Sequence, residues 1–214
     1  MGQVVPLAQA IREGIHVSFS QVSTFLKCPR LYGFKYVWGE RREFTSSALP
    51  FGKAVHRAAE TLYRHFKEQG SKPDAADVVA SFKTAFNEEL ERSEAEAPIR
   101  FKDTESIPEL EKLGAALVQI LCERTQPVKV LEVEFPFSIP LPGRPERFVG
   151  VFDLIEEDEE GTIVLVELKT AARRWSDSQL DWDLQSSGYG HALKVMGVLN
   201  GQDISAQDVA GFAD

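Results

Sequence analysis

The sequence has few cysteines and no long apolar run. Its two cysteines, Cys28 and Cys122, are too few for the disulfide framework of a small secreted domain. No short apolar leader precedes the first polar segment, and no run approaches the roughly 20 apolar residues of a membrane span. Neither Asn87 nor Asn200 lies in an N-x-S/T sequon. We therefore expect a reduced, cytoplasmic protein that makes no contact with a membrane.

Basic residues are outnumbered by acidic ones. The chain has 24 Lys and Arg residues against 33 Asp and Glu residues, a formal net charge of -9. This balance argues against a broadly basic coat for nucleic acid. It still allows a local basic groove, and carboxylates that bind a metal ion make the total more negative. With 214 residues and 43% hydrophobic content, the chain suits one sizeable globular domain.

Helical spacing of apolar residues dominates the first part of the chain. Ser18 and Gln21 have capping-box spacing at the start of a helix whose apolar stripe includes Phe25 and Leu26. Pro29 is expected to kink this helix or to begin a second one. Three further helices are predicted, over residues 51–70, 74–96 and 107–126.

The spacing changes from helical to alternating at Val128. Three consecutive strands are predicted over residues 128–141, 146–158 and 161–171, separated by Pro-Gly and Glu-Glu-Gly turns, and a helix follows over residues 176–197. The order predicts an α+β fold, an α/β sandwich with a small mixed sheet flanked by helices. We expect one structural domain, with a helical part over residues 1–127 and a C-terminally truncated core over residues 128–214.

Two acids and a lysine stand inside the apolar strands. Glu167 follows Asp153 by 14 residues, about one strand, a turn and most of the next strand, so the two carboxylates should lie close together. Lys169 should point to the same face as Glu167, with Leu168 pointing into the core. Neighbouring carboxylates repel each other, and a hard divalent ion such as Mg²⁺ resolves this best. A cross-strand salt bridge on a solvated face is the alternative that the spacing leaves open.

Several segments resemble a known family of enzymes. "GVFDLI" and "VLVELKT" are similar to the core of the PD-(D/E)XK nuclease superfamily. "SFSQVSTFLKCPRLYGFKY", "FGKAVH" as a G-x-x-x-H element and "QSSGY" as a Q-x-x-x-Y element are similar, in this order, to its RecB-like branch. That branch includes the nuclease domains of RecB and AddB and the CRISPR-associated adaptation exonucleases. The resemblance covers residues 16 to 197 and implies a restriction-endonuclease-like core.

The resemblance implies a metal site and a catalytic lysine. Asp153 and Glu167 would be carboxylate ligands, His56 a ligand from the helical part, and the carbonyl of Leu168 would complete the shell. Lys169 would orient or deprotonate the attacking water and stabilise charge on the phosphate. A packed histidine and a salt bridge between Lys169 and Glu167 are the alternatives.

Four residues are predicted to contact the substrate. Gln185 and Tyr189 are four residues apart, share a helix face and would contact the substrate strand or brace Lys169. Arg173 and Arg174 would meet phosphates at the rim of the site. Ordinary amphipathic helix positions and a soluble loop are the respective alternatives.

Three further residues have weaker assignments. Glu60 and Glu134 are candidates for support beside the site, although solvated surface is the simpler interpretation of each. Cys28 occupies the position of the first cysteine in the iron-sulfur members of the branch. No cysteine follows Cys122, and a cluster needs four thiolates, so we expect no iron-sulfur cluster in this chain.

The resemblance implies a DNA exonuclease that uses Mg²⁺ or Mn²⁺ on single-stranded or unwound DNA, in repair, recombination or processing. A helicase or another repair or adaptation protein would be its partner. The competing hypothesis is a non-cutting module that binds nucleic acid or a partner. The segment after the last helix lacks a strand-length β-branched run. We therefore expect a truncated or partner-completed domain with an unpaired edge at the strand "VLVELKT" or its neighbour.

Overall fold

The computed structural model describes residues 16–170, 183–199, 202–203 and 209–212. Its helices are α1 (Phe19–Lys27), α2 (Pro29–Tyr32), α3 (Ala48–Gln69), α4 (Ala75–Glu96), α5 (Ile107–Arg124) and α6 (Leu184–Met196). A π-helical segment, Gly33–Val37, continues α2. The strands are β1 (His16–Ser18), β2 (Thr45–Ser46), β3 (Ile99–Arg100), β4 (Lys129–Pro140), β5 (Arg147–Glu157), β6 (Ile163–Val166), β7 (Val198–Leu199), β8 (Gln202–Asp203) and β9 (Val209–Phe212).

The chain divides into two compact units. The sheet unit contains the described residues up to 40 and from 131 onward, and the helical unit contains residues 41–130. The α+β class and the small mixed sheet predicted from the sequence are confirmed. None of the helices in the described part of the chain combines the length and apolar character that crossing a membrane requires.

The helical unit is built from α3, α4 and α5, as the apolar spacing predicted. Gly70 ends α3 in the left-handed conformation, at φ 65°, and the Asp74 side chain caps α4. Gly114 lets α5 approach the core closely, because a Cβ there would lie 2.0 Å from the ring of Phe82. The core side chains of this unit include Phe51, Ala54, Ala58, Leu62, Val78, Phe82, Phe86, Leu110 and Val118.

A charged cluster stabilises the start of α3. The hydroxyl of Ser47 donates a hydrogen bond to Glu105 at 2.6 Å, and the Lys102 ammonium contacts the same carboxylate at 2.7 Å. The bond from Lys102, followed by that from Ser47, lowers the pKa of Glu105 to about 2. The ionised carboxylate is therefore the form that the folded state stabilises.

β5 organises the sheet unit. β1 runs parallel to its start, with His16 opposite Arg147, and β6 runs antiparallel to its end, with Leu154 opposite Val166. β4 also pairs with β5, and β9 runs parallel to β6. The expectation of an unpaired edge stays a prediction for the neighbour of β6, but "VLVELKT" itself is not the edge, because β9, which the sequence did not predict, pairs with β6. β1 was not predicted either.

β6 is shorter than the predicted strand. It ends at Val166, so Glu167 and Lys169 follow the strand instead of lying inside it. The N–H of Leu168 donates to the side chain of Asp153 at 2.8 Å, which replaces the ladder hydrogen bond of a continuing strand. Leu168 is half-buried, whereas strand alternation had predicted a core position.

Aromatic side chains join α6 to the sheet. The rings of Phe137 and Phe152 stack with centroids 4.5 Å apart, and Tyr189 meets both edge-on at 5.0 and 5.6 Å. Gly150 makes this arrangement possible, since a Cβ there would lie 2.6 Å from the Phe137 ring and 3.0 Å from the Tyr189 hydroxyl. This packing holds α6 against the strand that carries Asp153.

The first helix of the sheet unit, α1, begins where its sequence predicted. Ser18 and Gln21 form the predicted capping box at the N-terminus of α1, and Phe19 packs against the core of the sheet unit. The apolar stripe of α1 does not enter that core, because Phe25 and Leu26 are 50% and 63% exposed.

Candidate metal and catalytic site

Asp153 lies near the end of β5, between the buried residues Phe152 and Leu154. Its Oδ2 accepts the hydrogen bond from the Leu168 N–H, which fixes the orientation of the carboxylate. Burial raises the pKa of Asp153, and the Leu168 hydrogen bond and the charge of Lys169 offset part of this rise. The protein therefore holds a carboxylate where its charge is poorly solvated, which is a site suited to a cation.

Glu167, Lys169 and Gln185 form a hydrogen-bonded cluster beside Asp153. The Nζ of Lys169 lies 2.5 Å from Oε1 of Glu167 and donates to Oε1 of Gln185 at 2.7 Å. The amide of Gln185 donates in turn to the same Glu167 oxygen at 2.5 Å. The predicted proximity of Glu167 and Lys169 and the bracing of Lys169 by Gln185 are thus present in the structure. The side chain of Lys169 is partly exposed, so the cluster lies at the surface of the sheet unit.

Tyr189 lies one helical turn after Gln185 and is buried. Burial, followed by the negative charge of Glu167, raises the pKa of Tyr189 to about 12. The phenol is therefore neutral at physiological pH and serves as a hydrogen-bonding group. Its packing against Phe137 and Phe152 makes it part of the core as well as a neighbour of the site.

Glu134 combines an unusual backbone conformation with a position close to Asp153. It has φ 50° inside β4, the one non-glycine residue with positive φ in the described part of the chain. A left-handed residue costs about 1–3 kcal/mol and is concentrated at functional sites. A carboxylate oxygen of Glu134 lies within 4.8 Å of one from Asp153, and the residue is half-buried, which favours the alternative that it supports the site. The two acids of the alternating run "LEVEFPF", Glu132 and Glu134, were the available signal.

The other predicted residues belong to the helical unit, to the start of the sheet unit or to the part of the chain outside the described residues. His56 is half-buried on α3 of the helical unit. Glu60, on the same helix, pairs with Arg64 at 2.8 Å and belongs to the surface. Arg173 and Arg174 lie outside the described residues. Cys28 caps α2, where its Sγ accepts a hydrogen bond from the Leu31 N–H at 3.5 Å.

The donor atoms of the sheet unit suit a hard divalent cation. Asp153 and Glu134 offer carboxylate oxygens at a spacing that one ion can bridge, and both are partly withdrawn from water. Mg²⁺ and Mn²⁺ prefer such oxygen ligands and retain water in the remaining positions. Lys169 adds a positive charge beside the carboxylates, so the cluster combines a cation site with a group that can stabilise an anion.

Comparison with known proteins supports this chemistry. A model of the PD-(D/E)XK nuclease superfamily matches residues 16–210. No curated protein matches the chain. The matched residues include both β5 and the segment with Glu167 and Lys169, and the α+β fold agrees with the restriction-endonuclease-like core of that superfamily. The chain therefore belongs to the PD-(D/E)XK nuclease superfamily, the members of which are metal-dependent nucleases.

Proposed function

We propose that the protein is a deoxyribonuclease of the RecB-like branch, which removes nucleotides from an end of single-stranded or unwound DNA. The observation that carries this proposal is the placement of Lys169 beside half-buried carboxylates, with Gln185 holding both Lys169 and Glu167. A structural salt bridge alone would not require the strained backbone of Glu134 or the half-buried charge of Asp153. The order of the five sequence elements supports the choice of branch.

The metal would be Mg²⁺ or Mn²⁺, held by Asp153, Glu167 and Glu134. His56 and the carbonyl of Leu168 would be further ligands, as the resemblance implies. Such an ion lowers the pKa of coordinated water and neutralises charge that develops on the phosphate.

The side chains of the protein would prepare the reacting groups. Lys169 would place its ammonium against the attacking water and a phosphate oxygen, where its charge stabilises the transition state. Gln185 would keep Lys169 and Glu167 in one geometry, and the Leu168 N–H would do the same for Asp153. Arg173 and Arg174 would contact phosphates of the strand, and Tyr189 would position α6 next to it.

The substrate preference and the metal requirement can be tested together. Purified protein is incubated with end-labelled linear single-stranded DNA, its circular counterpart, duplex DNA and RNA, each with Mn²⁺, Mg²⁺ or EDTA. We expect cleavage of linear single-stranded DNA with either metal and none with EDTA. The variant Asp153→Asn preserves the size of the side chain and should abolish cleavage. Thr162→Ser, in the turn before β6, is the matched control.

Each outcome discriminates between defined alternatives. Cleavage of circular single-stranded DNA would show that the protein is an endonuclease, because a circle offers no end to an exonuclease. Binding of DNA without cleavage under every metal condition would favour the non-cutting module that joins a helicase or another repair or adaptation protein. Cleavage that persists in EDTA or in Asp153→Asn would exclude the proposed metal site.

A further inference from the structure

Exposed aromatic and basic side chains form a row on α2 and the π-helical segment. Phe34 and Trp38 are 38% and 61% exposed, and their ring centroids lie 5.1 Å apart in an edge-to-face arrangement. The guanidinium of Arg30 lies 5.5 Å from the centroid of the Phe34 ring. Arg30, Phe34 and Trp38 are spaced four residues apart and contact one another in sequence, and we call this row the aromatic strip.

The backbone holds the aromatic strip in place. A Cβ on Gly33 would lie 3.1 Å from the ring of Trp38. The indole therefore packs directly against Gly33, and a larger residue at this position would shift the ring. Short π-helical segments occur frequently at functional sites. The indole is thus both exposed and supported from beneath, which lowers the entropy lost when it binds a ligand.

A second group of rings flanks the aromatic strip. The ring centroid of Tyr32 lies 5.6 Å from that of Phe25 and 5.2 Å from that of Tyr36. The ammonium of Lys35 lies 4.7 Å from the ring centroid of Tyr36. Phe25 in this group is 50% exposed, and exposed apolar side chains that lie together mark interaction sites.

The charge of this segment is opposite to that of the whole chain. Residues 16–39 contain no Asp or Glu, although the protein has a formal net charge of -9. Lys27, Arg30 and Lys35 form no ion pair with any residue that the structure describes. In the helical unit, by contrast, Arg57 and Arg64 each pair with a glutamate. Within the described residues, the positive charge around the aromatic strip therefore has no acidic partner, and it can meet an anionic ligand.

Two connections link this segment to the elements of the candidate site. β1, which leads into α1, pairs with the start of β5, and β5 carries Asp153. α1 also packs against α6, which carries Gln185. The aromatic strip consequently belongs to the same compact unit as the carboxylates and Lys169.

We propose that the aromatic strip binds single-stranded DNA, with bases stacked on Phe34 and Trp38 and a phosphate paired with Arg30. Base stacking on exposed rings requires unpaired bases and tolerates any sequence, and guanidinium groups add phosphate and cation-π contacts. Single-stranded DNA would use both features, because its bases stack on the rings and its phosphates pair with Lys27, Arg30 and Lys35. This inference rests on the proposed function and specifies where the substrate strand is held.

Binding can be measured without cleavage, by fluorescence anisotropy of a labelled single-stranded oligonucleotide in EDTA. Trp38→Leu keeps an apolar side chain but removes the stacking surface, and we expect binding to weaken roughly tenfold or more. Arg30→Ala should also weaken binding and reduce the slope of log K against log salt by about 0.7. Leu117→Ala and Lys112→Ala, exposed positions of α5, are the matched apolar and basic controls and should bind like the wild type. Circular dichroism checks that every variant is folded.

Tryptophan fluorescence gives an independent measurement. The chain has three tryptophans, and stacking predicts that the DNA quenches the Trp38 component, so the quench should be lost in Trp38→Leu. Wild-type binding in Trp38→Leu, or a wild-type protein that does not bind the oligonucleotide, would overturn the inference. If the wild type cleaves DNA while Trp38→Leu binds normally, the inference fails and the proposed nuclease stands. If binding depends on Trp38 but no metal supports cleavage, the proposed function fails and the inference stands.

Discussion

Lys169 donates a hydrogen bond to the side-chain oxygen of Gln185 at 2.7 Å, although 16 residues separate them in the sequence. The amide of Gln185 simultaneously donates to Glu167 at 2.5 Å. A single neutral side chain on α6 therefore fixes the relative positions of an ammonium and a carboxylate at the end of β6. Gln185 is a positioning residue in this arrangement, because it acts through the two charged groups.

Gln185→Ala should lower the cleavage rate about 10- to 100-fold, since the variant frees both Lys169 and Glu167 from their shared partner. Gln185→Glu should be worse, because a second carboxylate would then face Glu167. Steady-state kinetics should show the loss in kcat with little change in KM. Ser187→Ala, at an exposed position of the same helix, is the control. An unchanged kcat in Gln185→Ala would show that Lys169 keeps its active position without the hydrogen bond to Gln185.

Lys169→Ala should lose cleavage by about 10²- to 10⁴-fold but retain metal binding, because its ammonium acts on water and phosphate rather than on the cation. Calorimetric titration with Mn²⁺ beside a cleavage assay measures both properties. Lys194→Ala, in the last turn of α6, controls for loss of a positive charge. Retained cleavage would reduce Lys169 to a structural salt bridge with Glu167.

The variants Glu134→Gly and Glu134→Gln distinguish the cost of backbone strain at this position from the loss of a carboxylate that binds the metal ion. Both variants remove a carboxylate near Asp153 and should weaken Mn²⁺ binding. Glycine adopts φ 50° without a steric penalty, so Glu134→Gly should be more stable than Glu134→Gln by about 1 kcal/mol. Urea unfolding in EDTA measures the free energy of unfolding of each variant. Equal stabilities would show that β4 relaxes at this position, and unaltered Mn²⁺ binding would remove Glu134 from the site.

Gly150→Ala should destabilise the protein by about 1–3 kcal/mol and reduce activity, because the added methyl group would overlap the Phe137 ring and crowd the Tyr189 hydroxyl. Gly190→Ala is the matched variant on α6. No atom lies within 4 Å of a Cβ built there, so helix propensity should stabilise the protein by about 0.5–1 kcal/mol. Thermal unfolding distinguishes the two, and destabilisation of the same size in both would contradict the packing argument.

Glu105→Gln should destabilise the protein at neutral pH and have progressively less effect as the pH falls. The folded-state pKa of Glu105 is lowered to about 2, so its contribution is fully present above the ordinary value of 4.5 and is lost as the pH falls toward about 2. Urea unfolding at about pH 6 and about pH 3 should show the difference between wild type and variant shrinking. Lys102→Met removes the principal cause of the shift and should flatten the wild-type profile. A difference independent of pH would refute this account.

Much of the architecture was readable from local sequence. Apolar residues at helical spacing placed α3, α4 and α5 within a few residues of their observed bounds, and Ser18 with Gln21 formed the predicted capping box. The period of a strand predicted that Glu167 and Lys169 would lie close together, and the Lys169 ammonium contacts the Glu167 carboxylate. These features depend on contacts within one turn, one strand or one hairpin, so the sequence alone was sufficient to determine them.

Only the tertiary structure decided the features that depend on distant segments. β1 and β9 join the sheet through pairing with strands far away in the chain, and neither carries a long apolar pattern of its own. β6 ends at Val166, and two residues later the Leu168 N–H donates to the Asp153 side chain. Glu134 approaches Asp153 because β4 lies against β5 and the Glu134 backbone adopts a conformation that residue type does not predict. Composition and spacing determined which acids and bases were available, and the pairing of strands that are remote in sequence decided which of them meet.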